Sequence, residues 1–407
     1  MKCRHCGRAL QHQFLDLGFA PPSNAYLKAE DLLVPEVSFP LKLYVCEECW
    51  LVQTEDYSGS DELFTDDYAY FSSTSSGWVR HARDYCTMVS NKLQLNASSF
   101  VIEVASNDGY LLKNFVDAGV PCLGIEPTGN TAKVAESLGI PVRKEFFGQA
   151  LAEDLFRKGQ QADLILGNNV YAHVPDINGF TRGLKIALKP SGTITLEFPH
   201  LLNLIKLNQF DTVYHEHYSY LSLQTVKLIF EKAGLRVFDV EALPTHGGSL
   251  RIYGCHAADD RVDDKSVINM LEYERKEGLK NLNTYTSFQA KANKVKDDFV
   301  AFLIEQKRAG KKVAAYGAAA KGNTLLNYAG VKSDLLSFVS DAAEAKQSKF
   351  LPGSHISILK PDQIKEQKPD FVVILPWNIA DEVIKQNSFI RGWGGQFVLA
   401  VPELKVV

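Results

Sequence analysis

"SFVIEVASNDGYLLKNFVDAG", residues 99–119, is the stretch that decides the fold of this chain. Its apolar start predicts a buried strand, its "ASNDG" segment a tight turn, and its remainder a helix. Further predicted strands follow in "VPCLGIEPT" (120–128), "ADLILGNNVYAHVPD" (162–176) and "ALKPSGTITLEFP" (187–199). Strands that alternate with helices predict an α/β fold, in which a parallel sheet carries helices on both faces.

The turns after these strands are the expected ligand site, because ligands of such sheets bind beyond the carboxyl ends of the strands. Gly109 lets a ligand approach the first turn closely. Glu126 ends the next strand and can accept hydrogen bonds from two ribose hydroxyls, at close to the roughly twenty-residue spacing of nucleoside sites. The expected cofactor-binding residues are Glu103, Ala105, Asn107, Gly109, Glu126, Asn168 and Asn169.

The first turn argues against a nicotinamide cofactor. A pyrophosphate site favours G-x-G-x-x-G, whereas residues 103–109 are "EVASNDG", with a single glycine. The order of the two acids, the "NDG" sequence and the later "LKPSGTITLEFP" segment resembles the class I, Rossmann-like fold of S-adenosylmethionine-dependent methyltransferases. Ala105 departs from the pattern, since many of these enzymes have glycine there. A doubly wound domain with an unrelated ligand is the alternative.

A polar, aromatic segment precedes the predicted sheet. It is "DDYAYFSSTSSGWVRHARDYC", residues 66–86, and a helical pattern continues to roughly residue 95. The segment could be a lid over the ligand site or a plain connector, and both interpretations stay open.

Residues 1–65 form the expected N-terminal domain, with the two pairs Cys3-x-x-Cys6 and Cys46-x-x-Cys49. Each pair can turn two sulfurs towards one point, and two such pairs make the tetrahedral thiolate shell of a structural zinc site. Because so small a segment buries little apolar surface, metal binding would supply much of its folding free energy. Four unligated cysteines and a redox CxxC are the alternatives.

A second α/β unit is predicted to begin near residue 311. After a charged helical stretch, "KKVAAYGAAAKGNTLLNYAG" (311–330) has the pattern of strand, small-residue turn and helix. Gly317 and the alanines after it would let a ligand reach amides at a helix N-terminus, and Lys321 would add positive charge, which suits a phosphate. Close packing of the helix on the sheet is the alternative, because a run of alanines suits it equally well.

The segment "DTVYHEHYSYLS" (211–222) follows the last of these predicted strands and has the residue types of a candidate active site. An imidazole titrates near neutral pH and can take a proton from carbon, and a neighbouring carboxylate can orient it. Phenol and neutral imidazole groups can stabilise an enolate oxygen. His173 and the "THGG" turn at 245–248 would converge on the same cleft. A buried network that only stabilises the domain is the alternative.

Several features, in order along the chain, resemble the sugar 3-C-methyltransferases of deoxysugar pathways: the four-cysteine domain, "EVASNDGYLL", "NNVYAHVPD", "YHEHYSYLS", "PTHGGSLRIY" and "YGAAAKGNTLLN". The resemblance covers essentially the whole chain. It implies a zinc-binding domain (1–65), an S-adenosylmethionine-dependent methyltransferase domain (66–255) and a Rossmann-like domain that binds a nucleotide-linked 4-keto sugar (256–407). The implied catalytic residues are Tyr214, Glu216, His217 and His173. The expected substrate-binding residues are Tyr70, His246, Gly317, Ala318, Lys321 and Asn323.

The implied reaction is methylation of C3, next to the C4 ketone of the sugar. The C3 hydrogen is acidic because the ketone can hold the charge as an enolate, so a base and an oxyanion stabiliser are needed. His217 is the expected base and Tyr214 the alternative base or enolate donor. Glu216 would orient them, and His173 would help to hold the sugar or its enolate. No metal is required for that step, which agrees with a zinc held by four thiolates.

Two rival hypotheses stay open. An O- or N-methyltransferase acting on a sugar would also need a base, but it would have no use for the ketone. A catalytically silent sugar-nucleotide-binding protein is the second rival, and Ala105 is the hint towards it. The identity of the nucleotide, which could be dTDP, GDP or CDP, also stays open.

The overall composition excludes several classes of partner. With 44 Lys and Arg against 48 Asp and Glu, the chain has a net charge of −4 and no basic patch for a nucleic acid. The first residues lack the apolar core of a signal peptide, and no apolar run reaches the roughly eighteen residues of a membrane span. We therefore expect a cytoplasmic protein. A monomer is the simplest expectation, since nothing in the sequence demands a partner subunit.

Overall fold

The computed structural model describes residues 1–55 and 71–407. The expected domain boundary between residues 65 and 66 and the candidate substrate-binding residue Tyr70 lie outside these ranges. Within them the chain forms three β-sheets, of four, seven and six strands. In this described part of the chain, no helix is both long and apolar enough to cross a membrane.

The first sheet is antiparallel and belongs to the N-terminal domain. Its first three strands are β1 (His12–Ala20), β2 (Phe39–Val45) and β3 (Val52–Thr54), paired in that order. Alternate residues of β2, namely Leu41, Leu43 and Val45, are almost fully buried, as expected for a strand with one face on the core. The fourth strand of this sheet comes from a later part of the chain.

The second sheet forms the core of the central domain. Its elements and those beside it are α1 (Ser76–Leu93), β4 (Val101–Val104), α2 (Lys113–Asp117), β5 (Cys122–Ile125), α3 (Gly129–Ser137), β6 (Val142–Arg143), α4 (Gln149–Arg157), β7 (Ala162–Asn168), α5 (Ile177–Ala187), β8 (Leu188–Pro199), α6 (Leu201–Lys206), β9 (Ser219–Tyr220), α7 (Leu223–Ala233), β10 (Leu235–Leu243) and β11 (Ser249–His256). The strand order is β10-β11-β8-β7-β4-β5-β6. The strands from β8 to β6 in this order are parallel, and β11 and β10 extend the sheet in antiparallel fashion. The predicted α/β fold is confirmed.

The helix after the first turn starts later than the sequence pattern predicts. α2 begins at Lys113 rather than directly after Gly109, and it has five residues. Ala105, Asn107 and Gly109 have positive φ angles of 58°, 49° and 78°. Residues in the left-handed region cannot continue a right-handed helix, so the chain forms turns up to residue 112 before α2 starts.

β9 is not a strand of the central sheet, although its neighbours in the sequence belong to the central domain. It is the fourth strand of the first sheet. It pairs antiparallel with β3, where Tyr220 lies opposite Val52 and Ser219 opposite Gln53. The segment 211–222 therefore lies at the junction of the N-terminal and central domains.

The third sheet forms the C-terminal Rossmann-like domain. The remaining elements are α8 (Lys265–Lys276), α9 (Leu282–Thr286), α10 (Phe288–Arg308), β12 (Val313–Tyr316), α11 (Ala320–Tyr328), β13 (Val339–Ser340), β14 (Ile358–Leu359), α12 (Asp362–Gln367), β15 (Phe371–Ile374), α13 (Ala380–Gln386), β16 (Gln396–Leu399) and β17 (Lys405–Val406). The strand order is β14-β13-β12-β15-β16-β17, and all neighbours are parallel except β16 and β17. The predicted second α/β unit is confirmed.

Apolar cores join the domains to one another. One core contains Phe14 of β1, Phe288 of α10 and Val313 of β12, and the rings of Phe14 and Phe288 stack with their centroids 4.8 Å apart. A second core joins Leu51, beside the N-terminal cysteines, to Val226 of α7. The N-terminal domain therefore packs against both of the larger domains.

Candidate active site

A cavity of about 590 Å³ lies where the three domains meet. Asn24 of the N-terminal domain and Lys321 of the C-terminal domain both contribute to its wall. Its volume is typical of small-molecule and cofactor sites. The candidate residues that line it are Ala105, Asn107, Glu126, Asn168, Asn169, His173, Tyr214, Glu216, His217, His246 and Lys321. The candidate residues that do not line it are Glu103, Gly109, Gly317, Ala318 and Asn323.

Glu126 ties together the two turns that follow β4 and β5. Its Oε2 accepts a hydrogen bond from the Asn107 amide (2.9 Å), and its Oε1 accepts one from the Thr128 amide (3.0 Å) and another from the Thr128 hydroxyl. The side chain is buried but still borders the cavity. A carboxylate oxygen can accept two hydrogen bonds, and within residues 1–55 and 71–407 Oε2 accepts one.

Glu103 lies behind the cavity wall. It is 1% exposed, and burial, with Glu126 and Asp108 nearby, raises the pKa of its carboxyl group well above the ordinary value. The neutral acid is therefore favoured. Its Oε2 is buried and has no hydrogen-bond partner among the described residues. A contribution of Glu103 to cofactor binding would have to act through the turn that covers it.

Two asparagines at the end of β7 complete this part of the cavity. Asn168 Nδ2 and Asn169 Oδ1 are buried and lack hydrogen-bond partners in the part of the chain that the structure describes. Such atoms cost free energy unless a ligand supplies the partner. Together with Glu126 and the left-handed turn at Ala105 and Asn107, they fit the polar groups of S-adenosylmethionine.

The described end of the polar, aromatic segment contacts the same turn. The amide of Ser72 donates to Asn107 Oδ1 (2.9 Å), and the amide of Ser73 donates to Asp108 Oδ2 (3.0 Å). Trp78, in the first turn of α1, borders the cavity, and its ring centroid lies 4.8 Å from that of His246. Residues 71–78 therefore support the turn at residues 105–109, which we call the cofactor turn.

We expect Gly109→Ala to destabilise the central domain and to weaken cofactor binding. Its φ of 78° costs an L-residue about 1–2 kcal/mol. An added Cβ would also lie 2.5 Å from Ile140 Cδ1 and 3.1 Å from Ala135 Cβ, which forces these side chains apart. The expected loss is about 2–4 kcal/mol in the free energy of unfolding, measured with denaturant. Calorimetry should show a larger Kd for S-adenosylmethionine.

Gly119→Ala is the matched control for Gly109→Ala. Gly119 has a similar φ of 69°, but an added Cβ would meet nothing within 4 Å. Gly119→Ala should therefore lower the free energy of unfolding only by the cost of its backbone conformation, about 1 kcal/mol. It should keep the affinity for S-adenosylmethionine. Equal losses in the two variants would show that crowding at Gly109 is unimportant.

The candidate catalytic side chains form one cluster at the cavity. The ring centroids of His173 and His217 are 4.5 Å apart, with the rings at 82°, and those of Tyr214 and His217 are 4.7 Å apart. The backbone carbonyl of Thr212 lies beside the ring of His217, and that of Glu216 lies beside the ring of His173. The predicted convergence of these groups on one cleft is therefore seen in the structure.

Burial sets the protonation of this cluster. It lowers the pKa of His173 to about 4, and it lowers the pKa of His217 well below the ordinary value, with His173 adding to the effect. It raises the pKa of Tyr214 well above the ordinary value. At neutral pH both imidazoles are neutral and Tyr214 keeps its proton. A neutral imidazole has one N–H donor and one acceptor nitrogen, so each ring can accept a proton or a hydrogen bond.

His246 lies across the cavity in a constrained turn. Its φ is 53°, and Asn169 Nδ2 donates to its Nε2 (3.0 Å) from a residue that also has a positive φ, of 56°. Burial and the nearby Lys321 lower the pKa of His246 to about 4. The adjacent Thr245 hydroxyl donates to Glu197 Oε1 (2.8 Å), which anchors the turn to β8.

A buried ionic network lies behind this turn, and the candidate residues chosen from the sequence do not include it. Glu197 Oε2 accepts hydrogen bonds from Arg251 (2.7 Å), while His81 Nε2 lies 2.8 Å from the same oxygen. His81 also stacks on Trp78, with ring centroids 4.9 Å apart. Glu197 stands at the end of "TITLEFP", so the argument that selected Glu126 from the end of its strand could have found it. Asn24 has no comparable signal in the sequence.

Lys321 faces the cavity, whereas the other C-terminal candidates are held in internal contacts. Its Nζ donates to Asn378 Oδ1 (2.6 Å) and lies 4.5 Å from the Trp377 ring centroid. Burial lowers its pKa, and Asp211 opposes that shift. Asp211 is itself buried, accepts a hydrogen bond from Trp377 Nε1 (2.7 Å), and has a pKa that burial raises to about 6.

The small-residue turn after β12 is already hydrogen-bonded within the chain. The Gly317 amide donates to the Ser340 carbonyl (2.7 Å), and the Ala318 amide donates to Asp341 Oδ2 (2.7 Å). Asn323 is 1% exposed, and its Nδ2 donates to the Ser23 carbonyl (2.6 Å). An anion at this end of the cavity would therefore meet Lys321 and the N-terminus of α11 rather than these three residues.

The four predicted metal ligands form a compact cluster. The Sγ atoms of Cys3 and Cys49 are 3.5 Å apart, as are those of Cys6 and Cys46, and all four lie within 4.8 Å of one another. Thiolates around a tetrahedral zinc, each about 2.3 Å from the metal, are separated by similar distances. The cluster therefore fits a structural zinc ion, and Gln53 Nε2 donates to Cys3 Sγ (3.3 Å) beside it.

Three family models match successive parts of the chain. The models describe a "zinc binding domain" at residues 3–64, a "Methyltransferase domain" at 78–240 and a "C-methyltransferase C-terminal domain" at 244–402. An S-adenosylmethionine-dependent methyltransferase from Clostridium acetobutylicum ATCC 824 aligns with a TM-score of 0.36 and 10% identity, over 44% of this chain and 92% of its own. Magnesium protoporphyrin IX methyltransferase from Synechocystis PCC 6803 aligns with a TM-score of 0.33 and 14% identity, over 44% of this chain and 81% of its own.

One curated relative matches from end to end. C-methyltransferase NovU from Streptomyces niveus is 34% identical over 406 residues, which cover 100% of this chain and 96% of NovU. The identity extends through the zinc-binding, central and C-terminal domains alike. The chain therefore belongs to the C-methyltransferase family, with S-adenosylmethionine as its cofactor and zinc as its structural metal.

Proposed function

We propose that the protein methylates C3 of a nucleotide-linked 4-keto deoxysugar. The observation that carries this proposal is the cluster of two neutral histidines and a protonated tyrosine in the same cavity as the cofactor turn. A base and a hydrogen-bond donor are the two groups that formation of an enolate needs. S-adenosylmethionine, when bound, supplies an electrophilic methyl group.

We assign a role to each side chain from its protonation state and its place in the cluster. The acceptor nitrogen of His217 takes the C3 proton, and the electron pair of the C–H bond moves towards the C4 oxygen. Tyr214 retains its proton and donates to that oxygen. His173 can accept a hydrogen bond from a sugar hydroxyl, because burial keeps its imidazole neutral. The negative charge that develops on the sugar raises the proton affinity of His217 during the step.

Carbon is favoured over oxygen or nitrogen as the methyl acceptor. NovU is named a C-methyltransferase, and the matching C-terminal family model carries the same word. An enolate donor such as Tyr214 also has no evident purpose in methylation of a hydroxyl group. These observations support the C-methyltransferase proposal against the O- or N-methyltransferase alternative.

The nucleotide of the substrate would bind towards the C-terminal domain. Lys321 brings a half-buried cation to the cavity, and Ala319, Ala320 and Lys321 at the start of α11 line it. A helix N-terminus and a lysine together suit a diphosphate. We assign the domains as 1–65, 66–255 and 256–407, of which the last boundary falls one residue before the end of β11 at His256. The four clustered thiols favour a reducing compartment such as the cytoplasm.

The test follows the C3 hydrogen by NMR. A nucleotide-linked 4-keto-6-deoxy sugar is mixed with the enzyme and S-adenosylhomocysteine in deuterated water. We expect the C3 proton to exchange with solvent only when enzyme is present. With methyl-¹³C-labelled S-adenosylmethionine, the label should then appear bonded to C3.

Two other outcomes would contradict the proposal. A bound sugar that keeps its C3 proton and receives the label on oxygen would indicate O-methylation. A bound sugar that yields no S-adenosylhomocysteine from S-adenosylmethionine would indicate a catalytically silent binding protein.

A further inference from the structure

We propose that Asn24 of the N-terminal domain is a positioning residue for Glu216, so that the zinc-binding domain completes the active site. Asn24 Nδ2 donates to both carboxylate oxygens of Glu216, at 3.1 and 3.3 Å. Both residues line the cavity, and Glu216 is 5% exposed. The inference rests on the proposed function for its chemical meaning, and on these contacts for its geometry.

Glu216 influences the histidines through its backbone. Its carbonyl lies beside the ring of His173, and that ring packs edge-on against His217, the next residue in the chain. A side chain fixed at its carboxylate also fixes the carbonyl of the same residue. Asn24 therefore contributes to the orientation of the imidazoles without touching either of them.

An amide suits this position because it donates without carrying a charge. A buried carboxylate needs hydrogen-bond donors, and a lysine or arginine here would add a positive charge beside the neutral histidines. Asn24 supplies a donor and leaves the protonation of His173 and His217 under the control of burial.

The C-terminal domain holds the segment that carries Asn24. The Ser23 carbonyl accepts a hydrogen bond from Asn323 Nδ2 (2.6 Å), and the Tyr26 hydroxyl donates to the Ala318 carbonyl (2.6 Å). The segment also closes on itself, since the Tyr26 amide donates to the Asn24 carbonyl (3.0 Å). Asn24 is therefore held in place on both sides.

Helix α11 also contacts the segment that carries Glu216. Thr324, next to Asn323 on α11, donates from its hydroxyl to the Val213 carbonyl (2.9 Å), one residue before Tyr214. α11 thus fixes both the Asn24 segment and the start of the catalytic segment. Asn323, a candidate for substrate binding from the sequence, has a bridging role between domains here.

The experiment compares Asn24→Asp and Asn24→Ala with wild type in the C3 exchange and methyl-transfer assays. Asn24→Asp keeps the volume of the side chain but replaces the donor with a second carboxylate, which repels Glu216. We expect kcat and the exchange rate to fall by about 10- to 100-fold in both variants. The KM for S-adenosylmethionine and the zinc content should stay within about twofold of wild type.

Asn178→Ala is the matched control. Asn178 also bridges the N-terminal and central domains, because its Nδ2 donates to the carbonyls of Arg4 (3.1 Å) and His5 (2.9 Å), but it does not line the cavity. It should keep the wild-type exchange rate. An equal loss in Asn178→Ala would show that a loosened domain interface, rather than Glu216, explains the effect.

A readout without substrate separates this inference from the proposed function. The ¹⁵N spectrum of labelled histidine rings should shift for His173 and His217 in Asn24→Ala, with S-adenosylhomocysteine bound. Unchanged ring signals, or wild-type exchange in Asn24→Ala, would overturn the role of Asn24. If wild type itself does not exchange the C3 proton, the proposed function fails, and the ring spectrum still decides whether Asn24 positions the histidines.

Discussion

His217→Gln should lower the rate of methyl transfer by about 10²- to 10⁴-fold, the usual contribution of a general base. Burial keeps the imidazole of His217 neutral at neutral pH, so the ring has an acceptor nitrogen for the C3 proton. Glutamine can donate a hydrogen bond but cannot take up the proton. Solvent exchange at C3 should fall by the same factor, because the same proton is removed in both assays. The Kd for S-adenosylmethionine should not change.

His215→Gln is the matched control for this prediction. His215 lies two residues earlier, but its Nε2 contacts the Phe39 carbonyl (3.3 Å) and it does not line the cavity. It should retain most of the activity.

Tyr214→Phe should still exchange the C3 proton, but more slowly than wild type. The substitution removes the hydroxyl group that donates a hydrogen bond to the enolate oxygen, and it leaves the base in place. Exchange that survives in His217→Gln and vanishes in Tyr214→Phe would make Tyr214 the base.

The pH profile of kcat gives an independent check on His217. Burial and the neighbouring His173 lower its pKa well below the ordinary value, so the base is already unprotonated at neutral pH. The rate should therefore stay constant across neutral pH and fall only as the pH drops through the lowered pKa. An acid limb near the ordinary histidine pKa of about 6.5 would contradict a buried base.

The features that the sequence predicts correctly are local in the chain. The two cysteine pairs, the turn after β4 and the strand ends of β5 and β7 each depend on residues a few positions apart, so pattern and spacing suffice. The cluster of Tyr214, Glu216 and His217 is also local, because all three lie within four positions. Its contact with His173 follows from the rule that ligands gather at the carboxyl ends of parallel strands.

The features that the sequence does not predict arise from contacts between distant segments. Asn24 reaches Glu216 across 192 positions, and Asn323 reaches Ser23 across 300. The turn at Gly317 and Ala318 has the composition of a phosphate site, but Asp341 from the next strand already accepts the Ala318 amide. A local pattern cannot show that its donors are used elsewhere.

Ala105 departs from the family pattern in the sequence, and the structure shows the backbone conformation at that position. The family pattern has glycine in many members, and the structure shows why, since Ala105 adopts a φ of 58°. An L-residue in this region costs about 1–2 kcal/mol, which the surrounding hydrogen bonds from the turn to β5 can offset. The departure is therefore compatible with an intact cofactor turn, and it does not favour a silent protein.

Cys49→Ser should remove zinc from the protein and abolish methyl transfer, although residue 49 lies outside the cavity. A structural zinc site contributes about 10–16 kcal/mol of apparent binding free energy in small zinc domains, and a hydroxyl group is a poor replacement for a thiolate. Loss of the metal should release the N-terminal domain, and with it the contact from Asn24 to Glu216. We expect a loss of more than about 100-fold in kcat.

Binding of S-adenosylmethionine distinguishes this mechanism from general unfolding. The proposed cofactor-binding residues Glu126, Asn168 and Asn169 lie at or directly after the ends of strands β5 and β7, so calorimetry should still detect binding in Cys49→Ser, weakened by less than about tenfold relative to wild type. Cys255→Ser is the matched control, because Cys255 is buried in β11 and is not part of the cysteine cluster. It should keep both zinc and activity. A Cys49→Ser protein without zinc that transfers methyl groups at the wild-type rate would show that the metal is not needed to hold Asn24 and the pairing of β3 with β9 in place.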